Sequence, residues 1–247
     1  MSLKILASKD SKKSFLQIIL TVVLVCAVIL SFTLSAITVT TVKNSAGAVA
    51  GEKPKVIIDA GHGGFDGGAV VGDVYEKDIN LKIANALSYM LKASGVDVIQ
   101  TRTNDSSTES NSNSTISSRK KSDLRNRLQI VKSNPDAILV SIHLNKFSSP
   151  SAKGAQIFYA PSADNSNILA ESIRRNITSL IQKDNSRALK KATKDVYLLY
   201  NSTIPAVIVE CGFMSNPEDF KNLQAEDYQN RIAFAIFGGI LSYLSKS

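Results

Sequence analysis

The chain has 247 residues, of which 44% are hydrophobic, and a formal net charge of +8. This length allows one or two domains and a full hydrophobic core. The positive charge suits an anionic polymer or a membrane surface as partner, and equally suits a basic surface that keeps the protein in solution. The chain contains no tryptophan and does not interleave basic with aromatic residues, so nucleic acid is not an expected partner.

The N-terminal segment predicts a helix that enters a membrane. Four lysines within the first 13 residues precede an apolar stretch from about 15 to 37, which is long enough to cross a bilayer. The lysines predict a cytoplasmic N-terminus, with the rest of the chain outside the cytoplasm. Small residues at 46–50 resemble signal-peptidase sites, so a retained anchor and a cleaved signal both stay open. We therefore expect a basic stub and signal or transmembrane segment (1–38), a linker (39–53) and one catalytic domain (54–247).

From residue 56 onward, strand-like apolar runs alternate with helical patterns. The predicted strands are 56–60, 96–102, 137–142, 154–159 and 205–210. The predicted helices are one capped by Asp78 and stopped at Gly95, followed by 119–133, 164–183 and 229–245. Two polar stretches, 103–118 and 184–195, predict loops, and the second is basic enough to be a candidate contact for an anionic polymer. The alternation predicts an α/β fold with a mostly parallel, twisted sheet and helices on both faces.

Apolar residues at three- and four-residue steps define the predicted buried face of each helix. They are Ile79, Ile83, Leu87 and Met90 in the first helix, Leu124, Leu128 and Val131 in the second, Ile168, Leu169, Ile173, Ile177 and Ile181 in the third, and Ile232, Ile236, Ile240 and Leu244 in the last.

Three predicted strands lead directly to polar side chains. His62 lies in a glycine-rich loop after the first strand, His143 follows the strand 137–142, and Glu210 ends the last strand. These are the only two histidines in the chain. Because the carboxyl ends of parallel strands form the ligand crevice of an open α/β sheet, the three side chains are expected to lie near one another. Two histidines with a carboxylate are the usual ligands of a catalytic zinc ion.

The residue pattern alone leaves the third ligand open. The candidates are Asp59, Asp66, Asp73, Glu76, Asp78, Glu210 and Cys211. Glu76 precedes a predicted helix and follows a glycine-rich loop that can fold it back towards His62. Asp59, just before the glycine turn, could instead hydrogen-bond a metal-bound histidine. Polar strand ends that only cap loops are the alternative to a metal site.

Four motifs occur in an order that resembles a known enzyme family. They are Val56-Ile-Ile-Asp-Ala-Gly-His-Gly-Gly, Glu76 before a helix, Val140-Ser-Ile-His-Leu-Asn and Pro205-Ala-Val-Ile-Val-Glu-Cys-Gly-Phe-Met-Ser-Asn. Together they resemble the zinc-dependent N-acetylmuramoyl-L-alanine amidases of bacterial cell walls, from about Lys55 to the C-terminus. These enzymes hydrolyse the amide between N-acetylmuramic acid and L-alanine in peptidoglycan.

The resemblance implies a role for each residue that matches a motif. His62, Glu76 and His143 fall on the family's zinc ligands, and Glu210 falls on its catalytic glutamate. Cys211 then becomes a small buried residue. Asn145 matches the asparagine after the second histidine motif, and Asp59 and Asn145 are expected to contact substrate or support the ligands. One Zn²⁺ per chain is the implied cofactor.

The subgroup and the partners are also implied by resemblance. Arg119-Lys-Lys-Ser-Asp-Leu-Arg-Asn-Arg-Leu and Gly154-Ala-Gln-Ile-Phe-Tyr are most similar to the germination-specific amidases of spore formers, which act in cortex maturation on the route to muramic-δ-lactam. Leu144 and Lys146 depart from the alanines of many members. The expected partners are peptidoglycan glycan strands and stem peptides, the membrane, and an activating or sporulation protein. The expected location is the forespore or cortex wall.

Two other functions were weighed. An inactive, membrane-anchored module that binds peptidoglycan would have the same fold, but it would not need all four chemical residues. A phosphate or nucleotide binder could use the loop 61–68. That loop, however, lacks the lysine of the P-loop and the glycine order of the dinucleotide fold.

Overall fold

The computed structural model describes residues 53–110 and 112–246. The strands in this part of the chain are β1 (Lys55–Ala60), β2 (Val70–Val71), β3 (Val74–Tyr75), β4 (Asp97–Gln100), β5 (Ala137–Asn145), β6 (Gln156–Tyr159), β7 (Lys190–Lys191) and β8 (Ala206–Phe213). The helices are α1 (Glu76–Ala93), α2 (Ile116–Lys132), α3 (Ser166–Leu180), α4 (Tyr197–Tyr200), α5 (Pro217–Gln224) and α6 (Glu226–Leu244).

The predicted membrane segment (1–38) and nearly all of the predicted linker lie outside the described residues. Among the residues that are described, no helix is both long enough and apolar enough to cross a membrane.

The main sheet has the strand order β4-β1-β5-β8-β6-β7. The strands β4, β1, β5 and β8 run parallel, whereas β6 pairs antiparallel with β8 and parallel with β7. The prediction of a mostly parallel sheet is therefore confirmed, and β6 and β7 are the two strands that run in the opposite direction. Because β1, β5 and β8 end at the same edge, His62 after β1, His143 near the end of β5 and Glu210 in the second half of β8 are brought together there.

Helices cover both faces of the sheet, as predicted. On one face, α1, α3 and α6 pack against alternate strand residues such as Ile58, Val140 and Val209. On the other face, α2 and α4 pack against the intervening residues, which include Leu139 and Ile208. Successive strand side chains point to opposite faces. Asp59, Ser141, His143 and Glu210 therefore belong to the α2 and α4 face at the end of the sheet where the strands finish.

Two helices begin earlier than predicted. Helix α1 starts at Glu76, so Asp78 lies in its first turn and is not the N-cap. Backbone carbonyls of the preceding loop replace a side-chain cap, because the N–H of Glu76 donates to the carbonyl of Ala69 at 2.9 Å. Helix α2 starts at Ile116, because the Oγ1 of Thr115 accepts from a first-turn N–H group.

Two residues predicted to face inward are exposed. Ile168 is 47% exposed. The large buried side chains of α3 are those of Leu169, Ile173 and Ile177, and Ile168 lies beside this stripe on the solvent side. Leu124 is 38% exposed, and the neighbouring Asp123 and Arg127 are buried instead. A charged pair thus occupies the face of α2 where apolar periodicity predicted leucine.

Short elements were missing from the predicted set. They are the β2–β3 hairpin, β7, α4 and α5. Helix α5 had a readable signal, because Asn216 caps it by accepting from the N–H groups of Glu218 and Asp219, and Pro217 begins it. The others are only two to four residues long, which is too short for a periodic pattern.

Candidate metal centre

The strand register sets the polar residues side by side. Asp59 of β1 pairs with Ser141 of β5, and two residues further along β5, His143 pairs with Glu210 of β8. On the far side of Glu210, its partner in β6 is Gln156. The side chains of these neighbours share one face of the sheet, so His143 and Glu210 project into the same space.

The turn after β1 presents His62 through unusual backbone geometry. His62 itself has a φ of 63°, in the left-handed region that side chains other than glycine seldom adopt. The backbone just before it passes directly over the second histidine, because a Cβ at Gly61 would lie 2.2 Å from Cε1 of His143. Only glycine fits at position 61, and the two imidazole rings approach with their centroids 4.9 Å apart.

The β2–β3 hairpin returns the chain to the same point at Glu76. Gly68 is packed between the two side chains, since a Cβ there would lie 2.6 Å from the Oε2 of Glu76 and 2.7 Å from Cδ2 of His62. The backbone N–H of Ala69 donates to that Oε2 at 2.8 Å. The glycine-rich loop therefore closes on the first residue of α1 and brings Glu76 back to His62, which is one of the possibilities that the sequence left open for this loop.

Donor atoms of His62, Glu76 and His143 lie within 4.8 Å of one another. The Oε1 of Glu76 is 3.2 Å from Nε2 of His62 and 3.0 Å from Nδ1 of His143. Two imidazole nitrogens and one carboxylate oxygen form a donor set that suits a catalytic zinc ion. The role of the three residues as ligands stays a prediction.

The electrostatics of the cluster favour a positive charge at this point. Burial alone would raise the pKa of Glu76, but hydrogen bonds and positive charge from His143 and His62 hold it far below its usual range. Burial alone would lower the pKa of His62, but Asp66 and Glu76 raise it to about 9. A proton or a metal cation is therefore stabilised between these carboxylates.

Asp66 fixes the orientation of the His62 ring. Its Oδ2 lies 2.9 Å from Nδ1 of His62, and its Oδ1 lies 2.9 Å from Nζ of Lys120. Because Asp66 binds Nδ1, it sets the direction of the ring and leaves Nε2 of His62 available for a metal. The sequence offered Asp66 only as one of several third ligands. Its position four residues after His62 was the available signal.

Glu210 stands beside the cluster without a hydrogen-bond partner on one oxygen. Its Oε2 is buried, and no partner for it lies among the described residues. Burial raises the pKa of Glu210 to about 7, with the charge of His143 opposing this shift and that of Glu76 adding to it. A buried carboxylate oxygen without a partner is costly, so a polar group such as a water or a substrate amide is expected to contact it.

Asp59 is buried below the turn and is held by other side chains. It accepts hydrogen bonds from Oγ of Ser141 at 2.5 Å and Oγ1 of Thr101 at 2.8 Å, and it forms an ion pair with Arg127. The predicted bond to a histidine is not among its contacts in the described part of the chain. Burial would raise the pKa of Asp59, but Arg127 and its other partners hold it well below the usual range.

Two buried arginines bind the backbone of the His62 turn. Arg127 donates to the carbonyls of Ala60 at 3.0 Å and His62 at 2.7 Å. Arg102 donates to the carbonyls of Ala60 at 2.8 Å and Gly61 at 3.0 Å. All three carbonyls from Ala60 to His62 thus accept from a guanidinium group. We call this set of contacts the arginine clamp; sequence reasoning did not identify either arginine.

The remaining named residues lie outside the donor cluster. The backbone carbonyl of Asn145 accepts from the N–H of Met214 at 2.7 Å, at the end of β5, and its role in substrate contact stays a prediction. Cys211 is buried among the apolar residues that α1, α3 and α6 cover. Burial raises the pKa of its thiol, so it remains a neutral, small core residue.

The sequence and structure were compared with known proteins. The Amidase_3 sequence profile, described as N-acetylmuramoyl-L-alanine amidase, matches residues 56–242. The germination-specific N-acetylmuramoyl-L-alanine amidase of Bacillus subtilis (strain 168) is 35% identical over 195 residues, which cover 77% of this chain and 80% of that protein.

Two solved structures are similar in fold and sequence. The CwlD amidase from Clostridioides difficile in complex with the GerS lipoprotein has a TM-score of 0.75 and 40% identity, covering 79% of this chain and 100% of that one. The amidase AmiC2 of Nostoc punctiforme has a TM-score of 0.65 and 33% identity, covering 79% of this chain and 99% of that one.

The arginine clamp predicts a large loss of stability when Arg127 is neutralised. Arg127→Gln leaves the buried carboxylate of Asp59 without its counter-ion, so we expect the free energy of unfolding to fall by about 3–5 kcal/mol in urea titrations. The double variant Asp59→Asn with Arg127→Gln should recover part of this loss, because the uncompensated charge is removed. Arg125→Gln, at an exposed position of the same helix, is the matched control. Equal stability of the Arg127 and Arg125 variants would contradict the clamp.

Proposed function

The chain belongs to the Amidase_3 family and is an N-acetylmuramoyl-L-alanine amidase, and we propose that it is a zinc-dependent enzyme that acts on the spore cortex. The bond it hydrolyses is the amide between the lactyl group of N-acetylmuramic acid and L-alanine in peptidoglycan. The observation that supports a metal-dependent reaction is the juxtaposition of a His-Glu-His donor set with the unpartnered, buried oxygen of Glu210.

The residues present fit a zinc ion. His62, Glu76 and His143 would hold it, and Asp66 would keep the His62 ring in the required orientation. When bound, the ion supplies Lewis-acid chemistry that activates water and polarises the carbonyl of the scissile amide. Three protein ligands leave a position open for the reactants, as catalytic zinc sites require.

Glu210 is proposed as the general base and acid. Its carboxylate takes a proton from the attacking water, whose oxygen forms the new bond to the lactyl carbonyl carbon. As the C–N bond breaks, Glu210 gives that proton to the departing amine of L-alanine. A pKa of about 7 suits a group that must accept and release a proton near neutral pH.

The biological setting and the partners are proposed from the relatives. A germination-specific amidase among them supports a role in cortex maturation and muramic-δ-lactam formation. The CwlD amidase forms a complex with a lipoprotein, which supports an activating or sporulation partner for this chain. We propose an extracytoplasmic location, with residues 1–38 as a retained anchor or a cleaved signal. N-terminal sequencing of the mature protein distinguishes these two.

Substitution of Glu210 and of His143 should separate chemistry from metal binding. Glu210→Gln is expected to keep about one zinc per chain but to lose peptide release from purified peptidoglycan by about 10²–10⁴-fold, because the proton-transfer group is gone. His143→Ala is expected to lose zinc as well. Elemental analysis and mass spectrometry of the muropeptides, with and without a chelator, provide the two readouts.

The matched control is Glu226→Gln, which neutralises an exposed glutamate in the first turn of α6 and should keep full activity. Undiminished turnover by Glu210→Gln would contradict the assignment of the base. A wild-type protein that holds zinc and cleaves no wall substrate would favour the inactive peptidoglycan-binding module.

The cortex role predicts a specific change in spores. A strain that lacks the chain should make cortex peptidoglycan without muramic-δ-lactam, because removal of the stem peptide precedes lactam formation. Muropeptide analysis of purified spores measures this. Complementation with the wild-type chain should restore the lactam and complementation with Glu210→Gln should not. Normal lactam content in the mutant spores would contradict the cortex role.

A further inference from the structure

Arg187 lies in the basic loop between α3 and β7 and is held in a defined position. Its guanidinium carbon stacks 4.5 Å from the ring centroid of Phe213, near the end of β8. Its Nε donates to the backbone carbonyl of Lys153 at 2.7 Å. The side chain is half-buried, unlike the exposed Lys190 of β7 and Lys194 just after β7. Arg187 is therefore an ordered group and not a freely moving surface charge.

A single residue, Gln156, connects Arg187 to the proposed catalytic glutamate, Glu210. Gln156 of β6 is the register partner of Glu210, so their side chains share a face of the sheet. Nη1 of Arg187 contacts Oε1 of Gln156 at 3.4 Å. The amide of Gln156 is itself fixed, because its Nε2 donates to the carbonyl of Ala188 at 2.6 Å. This arrangement connects the guanidinium through Gln156 to the strand position of Glu210, near the end of β8.

The guanidinium of Arg187 has no carboxylate within 4 Å among the described residues. Carboxylates do line the adjoining cavity of about 350 Å³, but their positions are set by other contacts. Glu218 is paired with Lys153 at 3.0 Å. Asp219 accepts from the backbone N–H groups of Gly154 and Phe213. Asp184 is exposed to solvent.

The cavity next to the histidines has a different lining. A second cavity of about 340 Å³ adjoins the two histidines and is bounded by α2 and α4. Its apolar lining residues are Leu124, Val196, Leu198 and Ile208, beside Tyr197. The two cations there are already paired, Lys120 with Asp66 and Arg127 with Asp59 and Asp123. The cavity lined by Arg187 does contain cations without a carboxylate partner among the described residues. They are Arg187, which other contacts hold in place, and Lys183, which is exposed.

We infer that Arg187 binds a carboxylate of the stem peptide and so fixes the L-alanine side of the scissile amide over Glu210. The inference rests on the proposed amidase reaction. The fork of a guanidinium suits a carboxylate, and Nη2 of Arg187 makes no hydrogen bond in the described part of the chain. A stem peptide offers two carboxylates that Arg187 could bind. One is the α-carboxyl of D-glutamate, which follows L-alanine, and the other is the carboxyl of the third residue.

Synthetic disaccharide tripeptides test the inference and distinguish the two sources. One substrate carries both carboxyls free, one has the D-glutamate α-carboxyl amidated, and one has the third-residue carboxyl amidated. We expect the wild-type kcat/KM to fall about ten- to a hundredfold when the bound carboxyl is amidated. Arg187→Gln should show the same fall on the free substrate and no further loss on the amidated one. Arg187→Lys should recover part of the preference.

Lys194→Gln removes one exposed charge just after β7 and should keep the wild-type preference. Zinc content and thermal unfolding of each variant separate a local effect from misfolding. The comparison of the three substrates with the wild-type enzyme does not depend on whether any variant folds. Equal kcat/KM of the wild type on all three substrates would overturn the inference. If the wild type cleaves none of them, the amidase assignment fails instead. Calorimetric binding of the free and amidated tripeptides then still tests Arg187, and equal affinities would overturn its role.

Discussion

Two buried guanidinium groups hold the backbone turn on which His62 stands. The turn needs such support because His62 has left-handed backbone geometry and Gly61 passes against the ring of His143. Arg127 and Arg102 bind the carbonyls of the turn, and Asp59 supplies the negative charge that lets Arg127 be buried. A buried ion pair is costly unless its hydrogen bonds are satisfied, and here those bonds hold the backbone that places His62 in the donor cluster.

The geometry of the sheet explains why the candidate catalytic residues lie at one of its edges. Alternation along β5 and β8 directs His143 and Glu210 to one face, and parallel pairing sets them at equal height. Glu76 arrives from a different element, because α1 begins where the β2–β3 hairpin returns to the turn. The cluster therefore depends on three separate parts of the chain, and only the packed sheet keeps their donor atoms within 4.8 Å of one another.

Sequence reasoning predicted the elements whose signals are local. The strands at 56–60, 137–142 and 205–210 follow from short apolar runs, and the structure confirms that they exist. The predicted ends of the last two were too early, because β5 continues through His143 to Asn145 and β8 continues past Glu210 to Phe213. The place of Glu76 came from resemblance, because spacing alone left several carboxylates open. The predicted buried face of α2 was wrong at Leu124, because a prediction from apolar periodicity places charged residues on the solvent side. Asp123 and Arg127 are buried there because each satisfies the other and Arg127 also satisfies Asp59, which is 68 residues away in sequence. A contact between residues so distant in sequence leaves no periodic trace.

In the proposed metal centre, His62, Glu76 and His143 bind one zinc ion while Glu210 stays free for proton transfer. X-ray diffraction from crystals of the zinc-loaded protein, recorded on both sides of the zinc absorption edge, locates the ion and its ligands. We expect one anomalous peak at roughly 2.0–2.2 Å from a nitrogen of each histidine and an oxygen of Glu76, with the carboxylate of Glu210 beyond bonding distance. An ion bound by Glu210 in place of Glu76, or no zinc at this site, would contradict this metal centre.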